Sequence, residues 1–286
     1  MPQKITPFIR CEKNWKEVAQ YYVEVFWTDA AIVKQNPVVT EFQIYGQSLA
    51  TLTWWPHPWG LINASISFSL WITDRAHTEE IRHKLVDGGV VLMEFTDYPR
   101  SKWYGRCNDK FGVSRQVMYD DRKESTKNAL IPSLMFVWEN AGKAQEAMNL
   151  YTSIFPSSKI INMWPYGENT AGEAPTNLNH AEFTLVNQIF IAMDSSWPHK
   201  FNFTDGISFS VSCKDQEEVD YYRQKLALDG GTESQCGRCK DKYGVSRQII
   251  PLPLPEALFQ DDQEKAKYAM DAMMKMKKIV IADLTA

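Results

Sequence analysis

The chain has 286 residues with 31 basic and 35 acidic side chains, which gives a formal charge of -4. A length of about twice the usual domain size predicts two domains, and the mild acidity argues against nucleic-acid or anionic-membrane partners, which need clustered Lys and Arg. No run approaches the roughly 18 apolar residues of a membrane span, and the first residues lack a signal-peptide core, so we expect a cytoplasmic protein.

The side-chain composition adds two expectations. Five cysteines, an odd number without a secretory signal, predict reduced thiols. Phe, Tyr and Trp make up 13% of the residues, which indicates either a densely packed core or a pocket lined with rings. Composition alone leaves both interpretations open.

Hydrophobic periodicity predicts the same series of elements twice along the chain. In the first half we expect strands at 5–10, 31–34, 40–45, 48–53 and 66–72, with helices over 18–26 and 77–86. In the second half the corresponding strands are 131–137, 160–164, 181–186, 189–194 and 207–213, with helices over 144–155 and 216–228. Two-residue turns, Gly46-Gln47 and Asn187-Gln188, join the hairpins, and a C-terminal helix with an apolar tail ends the series.

An internal repeat explains this doubling. Residues 105–116, GRCNDKFGVSRQ, return as residues 237–248, GRCKDKYGVSRQ, with two differences in twelve positions. The repeat predicts two homologous units at 1–122 and 129–255, followed by an amphipathic helix and tail at 256–286. Each unit shows the order βαβββ twice, and the segment Val90–Tyr104 is the largest loop insertion that distinguishes the first unit.

These features resemble the PhnB-like branch of the glyoxalase/bleomycin-resistance/dioxygenase (vicinal oxygen chelate) superfamily, a branch often labelled 3-demethylubiquinone-9 3-methyltransferase. The resemblance rests on the paired βαβββ modules, the DGG helix stop, the GRCxDKYGVSRQ close and the C-terminal helix. It implies an α+β fold of tandem units, in which two βαβββ modules form a curved mixed sheet around a pocket. Single-unit relatives pair as dimers, so the fusion resembles a covalent pair, and a homodimer of the whole chain stays open.

The resemblance also implies a test for metal binding. Metal-dependent members hold a divalent ion with His or Gln and Glu from the first strand of each module and the last strand of the second. Here those strands carry no His, Asp or Glu, and only Gln116 and Gln248 offer neutral oxygen donors. One weak ligand does not hold a divalent ion, so we expect no metal. No G-x-G-x-x-G turn occurs either, so we expect no S-adenosylmethionine and no other cofactor.

One polar group is the candidate for catalysis. His180 and Glu182 alternate on one strand and therefore share a face, and Asp194 ends the neighbouring predicted strand. A histidine base with a carboxylate that orients it is a workable acid–base pair. Because Val39 replaces the histidine in the first unit, such chemistry would belong to the second unit alone. The alternative is that His180 has a structural role as a partly buried, hydrogen-bonded side chain.

The remaining candidates are rings and recurring charges. The candidate ligand-binding residues are Trp54, Trp55, Trp59, Trp103, Trp164, Tyr166, Glu41 and Trp197. Arg115 and Arg247 recur beside an Asp-Lys-aromatic-Gly turn, which leaves a structural role or contact with an anionic substrate open. Cys236 and Cys239 form a C-x-x-C that we interpret as two structural thiols. The sequence thus favours a small-molecule binding protein with a ring-lined pocket, and the alternative is an enzyme acting on a small aromatic or anionic substrate.

Overall fold

The molecule is built from four βαβββ modules, two in each unit. A computed structural model describes residues 3–11, 14–53, 62–98, 101–122, 127–168 and 170–285. The first unit contains β1 (Ile5–Cys11), α1 (Trp15–Phe26), β2 (Ala30–Gln35), β3 (Val39–Ile44), β4 (Gln47–Thr53), β5 (Ile66–Ile72), α2 (Arg75–Val86), β6 (Val90–Tyr98), β7 (Ser101–Asn108) and β8 (Ser114–Tyr119).

The second unit repeats this order with shorter final strands. It contains β9 (Ala129–Phe136), α3 (Ala144–Ile154), β10 (Lys159–Pro165), β11 (Leu178–Leu185), β12 (Gln188–Asp194), β13 (Ile207–Cys213), α4 (Gln216–Arg223), β14 (Thr232–Glu233), β15 (Arg238–Lys240) and β16 (Ser246–Pro251). The helices α5 (Pro253–Leu258) and α6 (Gln263–Lys275) follow. Within the described residues, no helix has the length and apolar character needed to cross a membrane.

The strands form two mixed sheets of eight strands each. Sheet A has the order β14-β15-β16-β13-β1-β4-β3-β2, and sheet B has the order β10-β11-β12-β9-β5-β8-β7-β6. Antiparallel pairs β1–β13 and β5–β9 join the units at the centre of each sheet. The predicted α+β architecture of tandem modules is confirmed, and the pairing adds that each sheet combines one module from each unit.

One apolar core connects all four modules. Tyr22, Phe68, Tyr151 and Phe209 lie in it, and each is almost completely inaccessible to solvent. These rings occupy matching positions in the two units and lie in the core of both. Burial of such side chains contributes roughly 1.5–3 kcal/mol each, so the repeated positions stabilise both units in the same way.

Two local predictions differ from the structure. The hairpin turns lie one residue earlier than expected, at Tyr45-Gly46 and Val186-Asn187, where all four φ angles are positive. This is the backbone of the two-residue turns that match strand twist, and glycine or asparagine at the second position accommodates it. The insertion Val90–Tyr104 is also no loop, because it forms most of the long hairpin β6–β7.

The C-terminal segment docks on its own chain. The N–H of Cys236 donates to the carbonyl of Met276 at 2.7 Å, and the N–H of Gly237 donates to the carbonyl of Lys277 at 3.0 Å. Met273 and Ile279 form an apolar cluster with Cys236. Because Ile250 of β16 contacts this cluster while its neighbour Ile249 points into the main core, the C-terminal helices cover part of the outward face of sheet A.

The repeated GRC…GVSRQ motif is structural in both units. Arg247 and Asp241 are buried together, with Nη2 of the arginine 3.0 Å from Oδ2 of the aspartate, and Tyr151 donates to the same oxygen at 2.8 Å. In the first unit the corresponding Arg115 and Asp109 are likewise buried. Since these side chains are closed to solvent, the alternative of contact with an anionic substrate is wrong for Arg115 and Arg247.

Candidate functional site

Sheet B has one face in the main core and a second face that is distinct from it. On β9, Leu134 belongs to the main core, whereas Ile131 and Met135 form a separate apolar cluster that includes Ile191 of β12. Side chains alternate along a strand, and residues paired in register share a side, so the two sets lie on opposite faces. We call the second one the far face of sheet B.

Both units contribute side chains to the far face. One row of paired residues crosses seven of its eight strands, from β10 to β7: Asn162, Glu182, Ile191, Ser133, Ser67, Ser114 and Asn108. By the same alternation, His180 and Trp164 lie on this face at the second-unit end, and Tyr104 and Arg106 lie on it at the first-unit end. A site that extends across this face therefore draws on both units.

His180 and Glu182 lie beside each other on this face. Nε2 of His180 is 3.4 Å from Oε1 of Glu182, and the rings of His180 and Trp164 are 5.4 Å apart between centroids. The hydrogen bond with His180 is the main cause that lowers the pKa of the buried Glu182, and it outweighs the opposing effect of burial. An ionised Glu182 can orient the imidazole and stabilise its cation, which suits proton transfer or the binding of a polar group.

An arginine that the sequence analysis did not single out borders this pair. The guanidinium of Arg122 lies 4.3 Å from the centre of the Trp71 ring, and its charge helps to lower the pKa of Glu182. Its Nε and Nη2 bind the two carboxylate oxygens of Asp120 at 2.7 and 2.8 Å. Together with Trp164, which is 40% exposed, these residues give the far face accessible rings beside a charged group.

The charge of Arg106 acts on a second group of polar side chains. Burial raises the pKa of Tyr166 to about 12 and lowers the pKa of His199; the Arg106 charge opposes the first shift and adds to the second. The Arg106 charge therefore acts on Tyr166 and His199, which follow β10 and β12. The sequence analysis missed Arg106 and His199; alternation with Tyr104 along β7 was the signal that could have indicated Arg106.

Asp194 does not join the His180–Glu182 pair. It pairs in register with Phe136 and points to the core side, where its carboxylate accepts from the backbone N–H groups of Gly142, Ala144 and Leu178 at 2.8–3.1 Å. Those bonds tie the start of α3 to β11 and β12. The carboxylate thus has a structural task, because its acceptor positions are already occupied.

The predicted ring residues are distributed over several places. Trp103 packs between Phe95, at 5.6 Å, and the guanidinium of Arg75 from α2, at 4.4 Å, so it belongs to the helix side of sheet B. Trp197 is exposed on the loop after β12, and the Tyr166 hydroxyl donates to the carbonyl of Asp194 at 3.2 Å. Trp54, Trp55 and Trp59 lie outside the described residues.

Glu41 belongs to the other sheet. It pairs in register with Ala50 and Lys34 in sheet A, and Val39 stands where β11 has His180. The two acidic positions of the repeat, Glu41 and Glu182, are therefore on different sheets. Of these two matching positions, the one on the far face of sheet B has a histidine beside the carboxylate, and the one in sheet A has a valine instead.

The thiols of the C-x-x-C segment are buried. Burial raises the pKa of Cys239 to about 12 and also raises that of Cys236. All five cysteines carry free thiols. Because the thiolate is the reactive form, the two residues have the character of structural cysteines, in line with the interpretation of the sequence.

The strands that carry metal ligands in the superfamily hold hydroxyl and amide groups on the far face. Oγ of Ser69 and Ser133 are 2.8 Å apart, Gln116 donates to Ser67 at 2.9 Å, and Tyr104 donates to Gln116 at 2.8 Å. Neutral hydroxyls already bonded to one another do not fit a divalent ion. Within the described ranges, no group of three His, Cys, Asp or Glu side chains is placed to hold a metal.

A separate surface groove of about 560 Å³ lies between the end of α3 and α4. Its polar groups are already engaged: Glu218 binds Lys4 at 2.6 Å, and the Tyr221 hydroxyl donates to the carbonyl of Ile154 at 2.9 Å. A groove whose donors and acceptors are satisfied within the protein offers little specificity to a ligand. The far face of sheet B therefore remains the candidate site.

Comparison with known proteins agrees with this architecture. The family model described as 3-demethylubiquinone-9 3-methyltransferase matches residues 3–118 and again residues 128–250. The chain belongs to this family. The two matched segments correspond to the two units, so the family model shows the tandem organisation of the chain.

Solved structures provide further relatives. The PhnB protein from Bacillus cereus, which carries the same 3-demethylubiquinone-9 3-methyltransferase description, is 39% identical over 42% of this chain and 95% of its own, with a TM-score of 0.38. A candidate dioxygenase from Bacillus subtilis subsp. subtilis str. 168 is 11% identical over 86% of this chain and 84% of its own, with a TM-score of 0.51, which shows a shared fold. A glyoxalase-related enzyme from Fulvimarina pelagi is 15% identical over 46% of this chain and 97% of its own, with a TM-score of 0.34. No curated protein matches the sequence.

Proposed function

We propose that this protein binds a small organic molecule on the far face of sheet B, at the His180–Glu182 pair. The observation that carries the proposal is the combination of an accessible ring, Trp164, with a histidine whose neighbouring carboxylate is buried and ionised. Binding sites typically combine apolar and aromatic surface with a few converging polar groups. The apolar cluster around Ile131 and Met135 supplies the adjoining surface.

A metal ion has no part in this proposal, because the serine–glutamine network described above does not fit one. Methyl transfer from S-adenosylmethionine is not included either, since the chain has mixed sheets and lacks the Gly-rich turn that opens a nucleotide-binding helix. Five free thiols support the expected cytoplasmic location. The proposed partner is a small molecule, and association of two chains is left to the test described below.

Binding of a neutral aromatic probe tests the proposal. We expect benzamide to quench intrinsic tryptophan fluorescence, and we expect Trp164→Ala to weaken binding about fivefold or more, since ring contacts are worth ~1 kcal/mol. Trp27→Ala is the matched control, because Trp27 also lies against a histidine, with 6.2 Å between its ring and that of His77. Trp27 lies between α1 and β2, the edge strand of the other sheet. Equal effects of the two variants would contradict the proposed site, and sedimentation of the same samples reports whether chains associate.

Catalysis on the bound molecule is the second candidate, and the 3.4 Å His180–Glu182 contact favours it. In that case His180 is the proton-transfer group and Glu182 orients it. Mass analysis of a bound molecule recovered from the cell lysate, before and after incubation with fresh protein, separates the two functions. An unchanged mass supports binding, whereas a conversion that His180→Ala abolishes supports an enzyme.

A further inference from the structure

The two ring nitrogens of His180 have different environments. Nε2 lies 3.4 Å from Oε1 of Glu182. Nδ1 has no hydrogen-bond partner among the described residues, and it is open to solvent on a side chain that is 34% exposed. The protein therefore engages one edge of the imidazole and leaves the other edge accessible to a ligand.

The partner of Nε2 determines which nitrogen of the neutral ring carries the proton. An ionised carboxylate accepts hydrogen bonds and donates none, so Nε2 carries the N–H that faces Glu182. Nδ1 then holds a lone pair and is a hydrogen-bond acceptor. Because the Glu182 side chain is 10% exposed, the accessible acceptor of the pair is Nδ1 of His180.

An exposed ring lies beside this acceptor. Trp164 pairs in register with His180, and the centroids of the two rings are 5.4 Å apart with 42° between their planes. The indole is 40% exposed, and no other ring or cation of the described chain packs on it. Ring pairs in proteins have centroid separations of about 4.5–7 Å, so a ligand ring on Trp164 lies within reach of the imidazole.

A second histidine–tryptophan contact in the chain is already filled by the protein. The rings of Trp27 and His77 are 6.2 Å apart, but Nζ of Lys84 lies 3.0 Å from the centre of the Trp27 ring. Nε2 of His77 is 3.0 Å from the Tyr45 hydroxyl. A ligand ring would have to displace the lysine there, whereas the indole beside His180 is accessible as it stands.

We propose that Nδ1 of His180 accepts a hydrogen bond from the molecule that binds at the His180–Glu182 pair. This inference rests on the proposed function and adds a substrate class: ring compounds that carry an O–H or N–H group beside the ring, of which phenol is the simplest. Benzamide meets the requirement through its amide N–H groups. Ethers, carboxylates and other compounds that offer acceptors alone are outside this class, because Nδ1 has no proton to donate.

Titration with phenol and anisole at about pH 8, where imidazoles are neutral, tests the acceptor. Anisole has a methyl group in place of the hydroxyl proton, and the phenol-to-anisole affinity ratio is compared between variants so that the added methyl surface cancels. His180→Gln should lower this ratio about 2–10-fold, the range for one neutral hydrogen bond, because its amide replaces Nε2 and leaves no acceptor at the position of Nδ1. His180→Asn should keep the ratio, because its amide oxygen takes the position of Nδ1.

His77→Gln is the matched control, since it replaces another partly buried histidine, and it should leave the ratio unchanged. An unchanged ratio in His180→Gln would overturn the acceptor, and the proposed function would still stand if Trp164→Ala weakened the binding of both probes. Stronger binding of benzoate than of phenol would contradict the substrate class. Absence of binding by both phenol and anisole would contradict the acceptor and the proposed function together.

Discussion

The buried Arg247–Asp241 pair makes a quantitative prediction about stability. Asp241→Asn removes the negative charge that faces a guanidinium whose side chain is 2% exposed, and the new amide N–H groups oppose donors from Arg247 and Tyr151. Removal of one partner of a buried pair costs about 3–5 kcal/mol. With a urea dependence of roughly 3 kcal/mol per M, the unfolding midpoint should fall by about 1–2 M.

The assay is urea unfolding followed by tryptophan fluorescence and circular dichroism. Glu79→Gln is the control, since it breaks the exposed Arg75–Glu79 pair, and it should cost less than about 1 kcal/mol. The two units also provide an internal comparison. Arg247 makes two contacts to Asp241, whereas Arg115 makes one to Asp109 and leaves Nη1 and Nη2 without partners, so Arg115→Met should cost less than Arg247→Met. An Asp241→Asn shift no larger than that of Glu79→Gln would refute this reasoning.

Three further predictions follow from other contacts. Asp194→Ala should lower the free energy of unfolding by about 1–3 kcal/mol, because three backbone N–H groups lose their acceptor, while benzamide affinity measured by fluorescence stays unchanged. The pKa of Glu182 is lowered from 4.5 in the folded state, so the contribution of this carboxylate to stability is complete above about pH 4.5 and is lost as the pH falls further. His180→Ala should therefore make the urea unfolding midpoint less dependent on pH in this acidic range. Gly89→Ala and Gly231→Ala should each reduce the melting temperature strongly, since a Cβ would lie 2.3 Å from a backbone carbonyl oxygen, and a loss below 1 °C would contradict the close approach.

Much of the architecture could be predicted because it depends on local patterns. The bounds of the strands Ile66–Ile72 and Ile207–Cys213 agree with those read from the sequence, since apolar residues that alternate with serine are a strong strand signal. The pairing of β1 with β13, and of β5 with β9, could not be predicted in this way. Partner choice between segments far apart in sequence depends on packing across the whole core, which local periodicity does not encode.

The candidate site could likewise be predicted from the sequence in part. His180 and Glu182 share a face because alternation along one strand requires it. Asp194 was grouped with them by its place at a strand end, but its side chain follows the alternation of β12 and satisfies the backbone of α3. Arg122 was missed because its contact with the Trp71 ring joins segments far apart in sequence, which local periodicity does not show.

The most direct test of the account is a crystal structure of the protein with 4-bromobenzamide, located by the anomalous signal of bromine. We expect one bromobenzamide per chain, with its ring on the far face of sheet B beside Trp164 and His180. Bromine on sheet A, or in the groove between α3 and α4, would contradict the central claim.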